Sequence, residues 1–251
     1  MNITGNTILI TGGGSGIGRA LAEAFHKAGN QVVIAGRRET LLNEVTSANP
    51  GMEALLLDIQ DKDDVAAFAR QAVESFPALN VVIHNAGIMR SEAVAAGDFL
   101  ATAEDTIATN LLGPIRLTAA LLPHLLKQER AAILTVSSGL AFVPLASTPT
   151  YSATKAAIHS WSMALREQLK ATPVEVIEIA PPYVQTELLG PQQAVDPAAM
   201  PLAEFTSEVM TLLENAPASG EIIVERCKPL RFAAENGQVG AIFAQLAAQH
   251  G

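Results

Sequence analysis

Tyr151 and Lys155 lie four residues apart in Tyr-Ser-Ala-Thr-Lys, which reads as the start of a helix, so their side chains share one face. A phenol titrating near 10 is a weak general base at neutral pH. A neighbouring ammonium stabilises the phenolate and is expected to lower that value. Ser138, thirteen residues upstream at the expected end of a strand, can donate a hydrogen bond to a substrate oxygen. The three groups suit proton exchange with an oxygen whose carbon gains or loses hydride. Tyr-x-x-x-Lys pairs are frequent by chance, and the placement relative to Ser138 gives this one its weight.

Hydride chemistry needs a carrier, and Thr11-Gly12-Gly13-Gly14-Ser15-Gly16-Ile17-Gly18 reads as its seat. The run falls between the first expected strand and the first expected helix. Glycines let the backbone approach a pyrophosphate, and the helix start offers free N–H groups and a positive dipole end. The spacing, Gly12, Gly16 and Gly18, departs from the G-x-G-x-x-G form. The bland alternative is a turn with packing duties only. An acidic residue at the end of the second strand would bind an adenosine 2′-hydroxyl and repel a 2′-phosphate. Here Gly36 is followed by Arg37 and Arg38, whose guanidinium groups suit phosphate oxygens. NADP(H) is therefore the expected cofactor. Asp58, with Ile59 beside it, closes the third strand; Asp58 either meets the adenine edge or caps the next helix.

These stretches, with Asn85-Ala86-Gly87, Asn110 and Val136-Ser137-Ser138, make the chain resemble the short-chain dehydrogenase/reductase family, main Rossmann branch. The resemblance implies an oxidoreductase that interconverts a carbonyl and an alcohol, with Tyr151 as acid and base. It implies that Lys155 also bonds the nicotinamide ribose, and that Asn85, Ala86 and Gly87 line the adenosine side. Asn110 should kink its helix and hold a water that links Lys155 to solvent. Pro181, Val184 and Thr186 should lie at the nicotinamide end, the last two at its carboxamide. The chain departs from the family pattern at His84, where Asn is usual, and at Pro181-Pro182, where Pro-Gly is usual. His84 is read as a packed strand-end residue. Pro-Pro-Tyr-Val-Gln-Thr and the ending Pro229-Leu230-Arg231 resemble the bacterial subgroup named after the oxidoreductase of the D-alanyl teichoic-acid operon.

The elements that must position these residues follow from periodicity. Expected strands fall at 7–11, 31–35, 54–57, 79–84, 132–137, 174–179 and 221–224. Expected helices fall at 17–27, 39–47, 61–75, 104–127, 151–170 and 238–249. Strands alternating with helices of ten or more residues imply parallel pairing with right-handed crossovers. The expected fold class is α/β, a doubly wound parallel sheet of the Rossmann type. Residues 1–251 read as one domain, with a proline-rich candidate lid over 183–218.

With 49% hydrophobic but only 4% aromatic residues, the core should be aliphatic. A net charge of −9 opposes a nucleic-acid or anionic-membrane partner. Cys227 is the only cysteine, so no intrachain disulfide forms and a cytoplasmic setting is expected. No metal site is expected. Met89, Leu140, Phe142, Val143, Tyr183, Leu188 and Leu189 are expected near a pocket for an apolar carbonyl or alcohol, with Arg90 read as a solvated loop residue. Excess apolar surface on the two long helices, at Trp161 and Leu165 for example, points to a homodimer or homotetramer. A cofactor-binding sensor or scaffold without turnover is the competing reading; for a third, an epimerase or dehydratase, the short lid and single-domain length leave little room for a sugar-nucleotide domain.

Overall fold

Short aliphatic runs buried on both faces form the strands, and amphipathic stretches between them cover the sheet. In the computed structural model the described residues are 1–250, with side chains through Ala248; Gly251 and the end of the expected domain lie outside them. The strands are β1 (Thr7–Thr11), β2 (Gln31–Gly36), β3 (Glu53–Leu56), β4 (Leu79–His84), β5 (Ala131–Val136), β6 (Val174–Ala180) and β7 (Glu221–Ile223). They pair in parallel in the order β3-β2-β1-β4-β5-β6-β7. The order reverses between β1 and β4, which opens a crevice beyond their C-terminal ends.

The helices are α1 (Gly16–Lys27), α2 (Glu39–Ala48), α3 (Lys62–Ser75), α4 (Leu100–Ile107), α5 (Gly113–Leu125), α6 (Pro149–Leu169), α7 (Pro191–Val195), α8 (Leu202–Glu214), α9 (Lys228–Arg231) and α10 (Val239–His250). Alternate strand residues feed two cores. Ile8, Ile10, Val32, Ile34 and Ile83 pack with Phe25 of α1 and with Phe205 and Val209 of α8. Leu9, Val33, Val82 and Ile133 pack with Phe68 of α3 and with Leu117 and Leu121 of α5. The sheet is thus covered on both faces.

Three expectations change. The single helix expected at 104–127 is α4 and α5 joined by a π-helical turn at Ala108–Leu112. Asn110 lies inside that turn, whose extra residue turns its amide inward; the turn's apolar spacing still looks helical. The cap of α3 is Asp61, not Asp58: its carboxylate accepts from the N–H groups of Asp63 (2.7 Å) and Asp64 (3.2 Å). Those bonds hold the Asp61 carboxyl below the usual carboxylate range. The 183–218 segment is no free flap, because Phe205, Val209 and Leu213 of α8 are fully buried in the core. Val184, Thr186, Glu187, Leu188, Gln193 and, at the start of α8, Leu202 line the crevice.

Candidate active site

The crevice is a cavity of about 710 Å³ that runs from Arg37 and Arg38 at one end to Ser138, Tyr151 and Lys155 at the other. Its first half is built from backbone. Gly12 has φ +68°, and a Cβ there would come within 2.9 Å of Ala86 Cα. At Gly18 a Cβ would lie 2.3 Å from both the Gly12 carbonyl oxygen and Asn85 Nδ2. Only hydrogen fits at either position, so the loop folds tightly against the end of β4. Asn85 fastens it there, donating through Nδ2 to the carbonyls of Thr11 (3.0 Å) and Gly12 (3.3 Å). The Thr11 hydroxyl in turn accepts the N–H groups of Asn85 and Ala86, both at 3.1 Å.

Gly14, Ser15, Gly16 and Ile17 line the cavity, and α1 starts there with no acidic residue in its first turn. The first N–H groups of a helix have no intrahelical acceptor. They form a seat for an anion. Arg38 reaches across the mouth of this seat, donating to Ser15 Oγ at 2.8 Å. Arg37 beside it is exposed. This backbone cradle, with cations at its rim, fits the diphosphate of a nicotinamide dinucleotide.

The second half is built from side chains. Ser138 lies two residues beyond the end of β5 and caps a short 3-10 turn, accepting from Leu140 N at 3.1 Å. Tyr151 and Lys155 lie in the first turns of α6, whose start is fixed by a buried carboxylate. Glu92 accepts from the Thr150 N–H (3.2 Å) and from its hydroxyl (2.8 Å). Negative charge there suits both the free N–H groups and the helix dipole. Lys155 Nζ donates to the Val136 carbonyl at 2.7 Å and lies 5.5 Å from the centre of the Tyr151 ring.

Burial dominates the electrostatics. It pushes the Tyr151 phenol up to about 12, against a smaller opposite pull from hydrogen bonding by Ser138. In the protein without cofactor the loss of water outweighs the expected lowering, with the Lys155 ammonium over the ring face and bonded to the Val136 carbonyl. Burial also brings Lys155 down to about 8. In this arrangement Tyr151 is a protonated acid at neutral pH, and Lys155 is near the edge of its charged range.

The profile of the short chain dehydrogenase family matches residues 6–196. The chain belongs to the short-chain dehydrogenase/reductase family. It is 46% identical over 189 residues to the oxidoreductase DltE of Bacillus subtilis, 75% of each chain. A short-chain dehydrogenase from Burkholderia cenocepacia, solved with NADP, is 27% identical, has a TM-score of 0.82 and matches 98% of this chain and 99% of its own. A family member from Burkholderia phymatum, solved with NAD, shares the fold at 20% identity, with a TM-score of 0.81 and 96% of each chain covered.

Within this short-chain dehydrogenase most of the expected residues come together. Gly12, Ser15, Gly16, Ile17, Arg37, Arg38, Ile59, Asn85, Ala86, Gly87, Pro181, Val184 and Thr186 share the cavity wall with Ser138, Tyr151 and Lys155. Gly18, Asp58 and Asn110 lie behind that wall. Asp58 Oδ1 accepts from Gln60 N at 3.1 Å. Asn110 braces the loop after β4, accepting from Ile88 N and donating to Ile88 O, both at 2.9 Å. His84 is fully buried against the Thr118 hydroxyl at 2.7 Å, and burial drives it down to about 3, so it is a neutral packing residue. Of the expected pocket residues, Met89 and Leu140 pack around Tyr151, while Phe142 turns away to stack edge-on with His159. Arg90 pairs with Asp105 at 2.9 Å.

Two contributors escape sequence reasoning. Gln193 of α7 holds the wall at Val184, donating to its carbonyl at 2.8 Å and accepting from Leu189 N at 2.9 Å. Leu246 of α10 joins the apolar cluster of Met89, Leu140, Leu145 and Tyr151. Neither carries a local motif. Leu246 is 95 residues from Tyr151 and is brought there only by the fold.

Proposed function

We propose that this chain is an NADP(H)-dependent carbonyl reductase, equally able to run as an alcohol dehydrogenase, acting on an apolar substrate. The observation that carries the reading is one cavity with Arg37 and Arg38 at one end and Ser138, Tyr151 and Lys155 at the other. When bound, the dihydronicotinamide supplies the hydride. The glycine loop and the start of α1 hold the diphosphate, and Arg37 and Arg38 hold the 2′-phosphate. Ser138 donates a hydrogen bond to the substrate oxygen and orients it. Tyr151 gives its hydroxyl proton to that oxygen as the carbon is reduced, and takes it back in oxidation. The Lys155 ammonium stabilises the phenolate left behind. Met89 on the cavity wall, backed with Tyr151 by Leu140, Leu145 and Leu246, supports an apolar substrate, and Arg90, also on the wall, is paired with Asp105.

The test is reduction of apolar ketones with NADPH by the unaltered protein and by Tyr151→Phe. The variant loses only a hydroxyl, so NADPH binding should persist while turnover falls by a factor of about 10²–10⁴. Turnover in neither protein would favour a binding module over an enzyme. More than about a tenth of the activity left in the variant would remove Tyr151 as the acid.

The assembly proposed is a two-fold homo-oligomer built on α4, α5 and α6. Ile107, Leu112 and Met163 are exposed on that side by 39%, 38% and 51%. A protein working inside the cytoplasm suits the single unpaired cysteine.

A further inference from the structure

Strand β6 reads Val-Glu-Val-Ile-Glu-Ile-Ala, and Glu178 occupies a position where its neighbours are aliphatic. Its side chain has no exposure at all, whereas Glu175 on the same strand is open to solvent. One carboxylate oxygen accepts from His159 Nδ1 at 2.8 Å. The other, Oε1, has no hydrogen-bond partner among the described residues. The hydroxyls nearest in register do not serve it, because Thr135 and Ser162 bond each other at 2.8 Å. A carboxylate buried with half its acceptors idle is costly, and folds keep such groups where a charge is needed.

The charge needed lies on the same helix. Lys155 and His159 are four residues apart on α6, so both face the sheet on one side. Lys155 Nζ reaches the carbonyl of Val136, the residue after Thr135, and Thr135 is the strand partner of Glu178. An ammonium has three N–H groups, and that bond uses one. Apart from His159, whose protonated form also partners the carboxylate, the groups facing it offer no rival cation. The Cys227 thiol is pushed up to about 12, chiefly by burial, and stays neutral. Arg231, which with Glu221 faces His159, is held by Glu221 at 2.6 Å and Glu235 at 2.9 Å.

We propose that Glu178, its carboxylate held by His159, is the buried counter-charge of Lys155 and a positioning residue for the lysine's work in the site. The inference rests on the catalytic role proposed for Lys155. Burial discharges the lysine and Glu178 pulls the other way, so the strand carboxylate keeps the ammonium present near neutral pH. His159 keeps that carboxylate facing α6 and is itself held above its ordinary range by the same bond.

The test reads the lysine directly, in protein without cofactor. Lysine carrying ¹³C at Cε is incorporated, the Lys155 resonance is assigned by its loss in Lys155→Met, and its shift is followed from about pH 6 to about pH 11. The unaltered protein should give a midpoint near 8. Glu178→Gln should lower it by on the order of one pH unit. His159→Gln keeps an amide donor to the carboxylate and leaves the charge in place, so the midpoint should not fall. If Glu178→Gln does not fold, Glu178→Leu carries the same expectation. An unmoved midpoint in the Glu178 variant, or an equal fall in both variants, overturns the proposal. Ketone reduction by the same preparations is scored separately. Its absence with a lowered midpoint counts against the proposed reaction and leaves the charge pair standing.

Discussion

Replacing Lys155 by methionine should make the folded protein more stable while ending its chemistry. Lys155 is fully buried and its value falls from 10.5 to about 8, with burial as the largest cause. A fall of about 2.5 pH units at 1.36 kcal/mol each is about 3 kcal/mol of unfavourable free energy in the charged form. Methionine fills a similar volume without charge. It strands the Val136 carbonyl, which costs about 1 kcal/mol; the pull of Glu178 is already contained in the lowered value. The net gain at pH 7 is then about 1–2 kcal/mol, or roughly 2–8 °C in Tm for a chain of this length. The pH dependence carries the signature. Between about 8 and 10.5 the unfolded chain holds a proton at Lys155 that the folded chain has released, so the unaltered protein gains stability as pH rises. The advantage of Lys155→Met should be full below about pH 8 and gone by about 10.5. Urea unfolding at both ends of that window measures it, with ketone reduction assayed on the same samples. A variant less stable at pH 7, or a difference that ignores pH, would refute burial as the cause of the lowered Lys155 value.

Three other outcomes follow from the same site and core. Arg37→Ala should weaken NADPH by about 1.5–3 kcal/mol and leave NADH nearly unchanged, since one charge-assisted phosphate contact is lost; titration by cofactor fluorescence decides it, and equal losses for both cofactors refute it. His84 is neutral and buried, with its value lowered from 6.5 to about 3. The unfolded chain therefore takes up a proton below about 6.5 that the folded chain refuses, and stability should fall by up to about 5 kcal/mol as pH drops to about 3. His84→Asn should remove most of that loss in acid unfolding curves, and identical curves would contradict it. Light scattering at micromolar concentration should give at least twice the monomer mass, and a strict monomer would end the proposal that α4, α5 and α6 form an interface.

The part of the site made by backbone is legible in the sequence. Glycines that must be glycines, as at Gly12 and Gly18, leave a mark in composition and spacing, and so does a strand buried on both faces. The triad of Ser138, Tyr151 and Lys155 is legible because two members share a helix face and the third follows the strand before that helix. What escapes depends on contacts with no local signature. The π turn around Asn110 keeps the apolar spacing of a continuous helix, so periodicity runs through it. Asp58 and Asp61 both precede α3, and only the backbone geometry selects the cap. Glu178 carries no local mark of burial in β6, where Glu175 is exposed; it is buried because α6 packs on that strand. The direction of the Tyr151 shift differs from expectation for a related reason: spacing reveals a neighbouring charge and is silent about the water removed with it.

The two halves of the cavity also differ in how they manage charge. The chain carries −9 overall, so its far field opposes a polyanionic cofactor. At physiological ionic strength that field decays within about 8 Å. Affinity for phosphate must then come from groups in contact: the first N–H groups of α1, with Arg37 and Arg38 at the rim. These groups are exposed or part of the backbone, and their charge is tolerated at little cost to folding. The catalytic half works the other way. Lys155 and Tyr151 are dehydrated, and burial makes the state of each sensitive to its neighbours. Binding can therefore be retuned by exchanging a surface arginine. Chemistry cannot be retuned without changing the free energy of the fold, because the same desolvation that adjusts the acid and the ammonium is part of the core between α6 and the sheet.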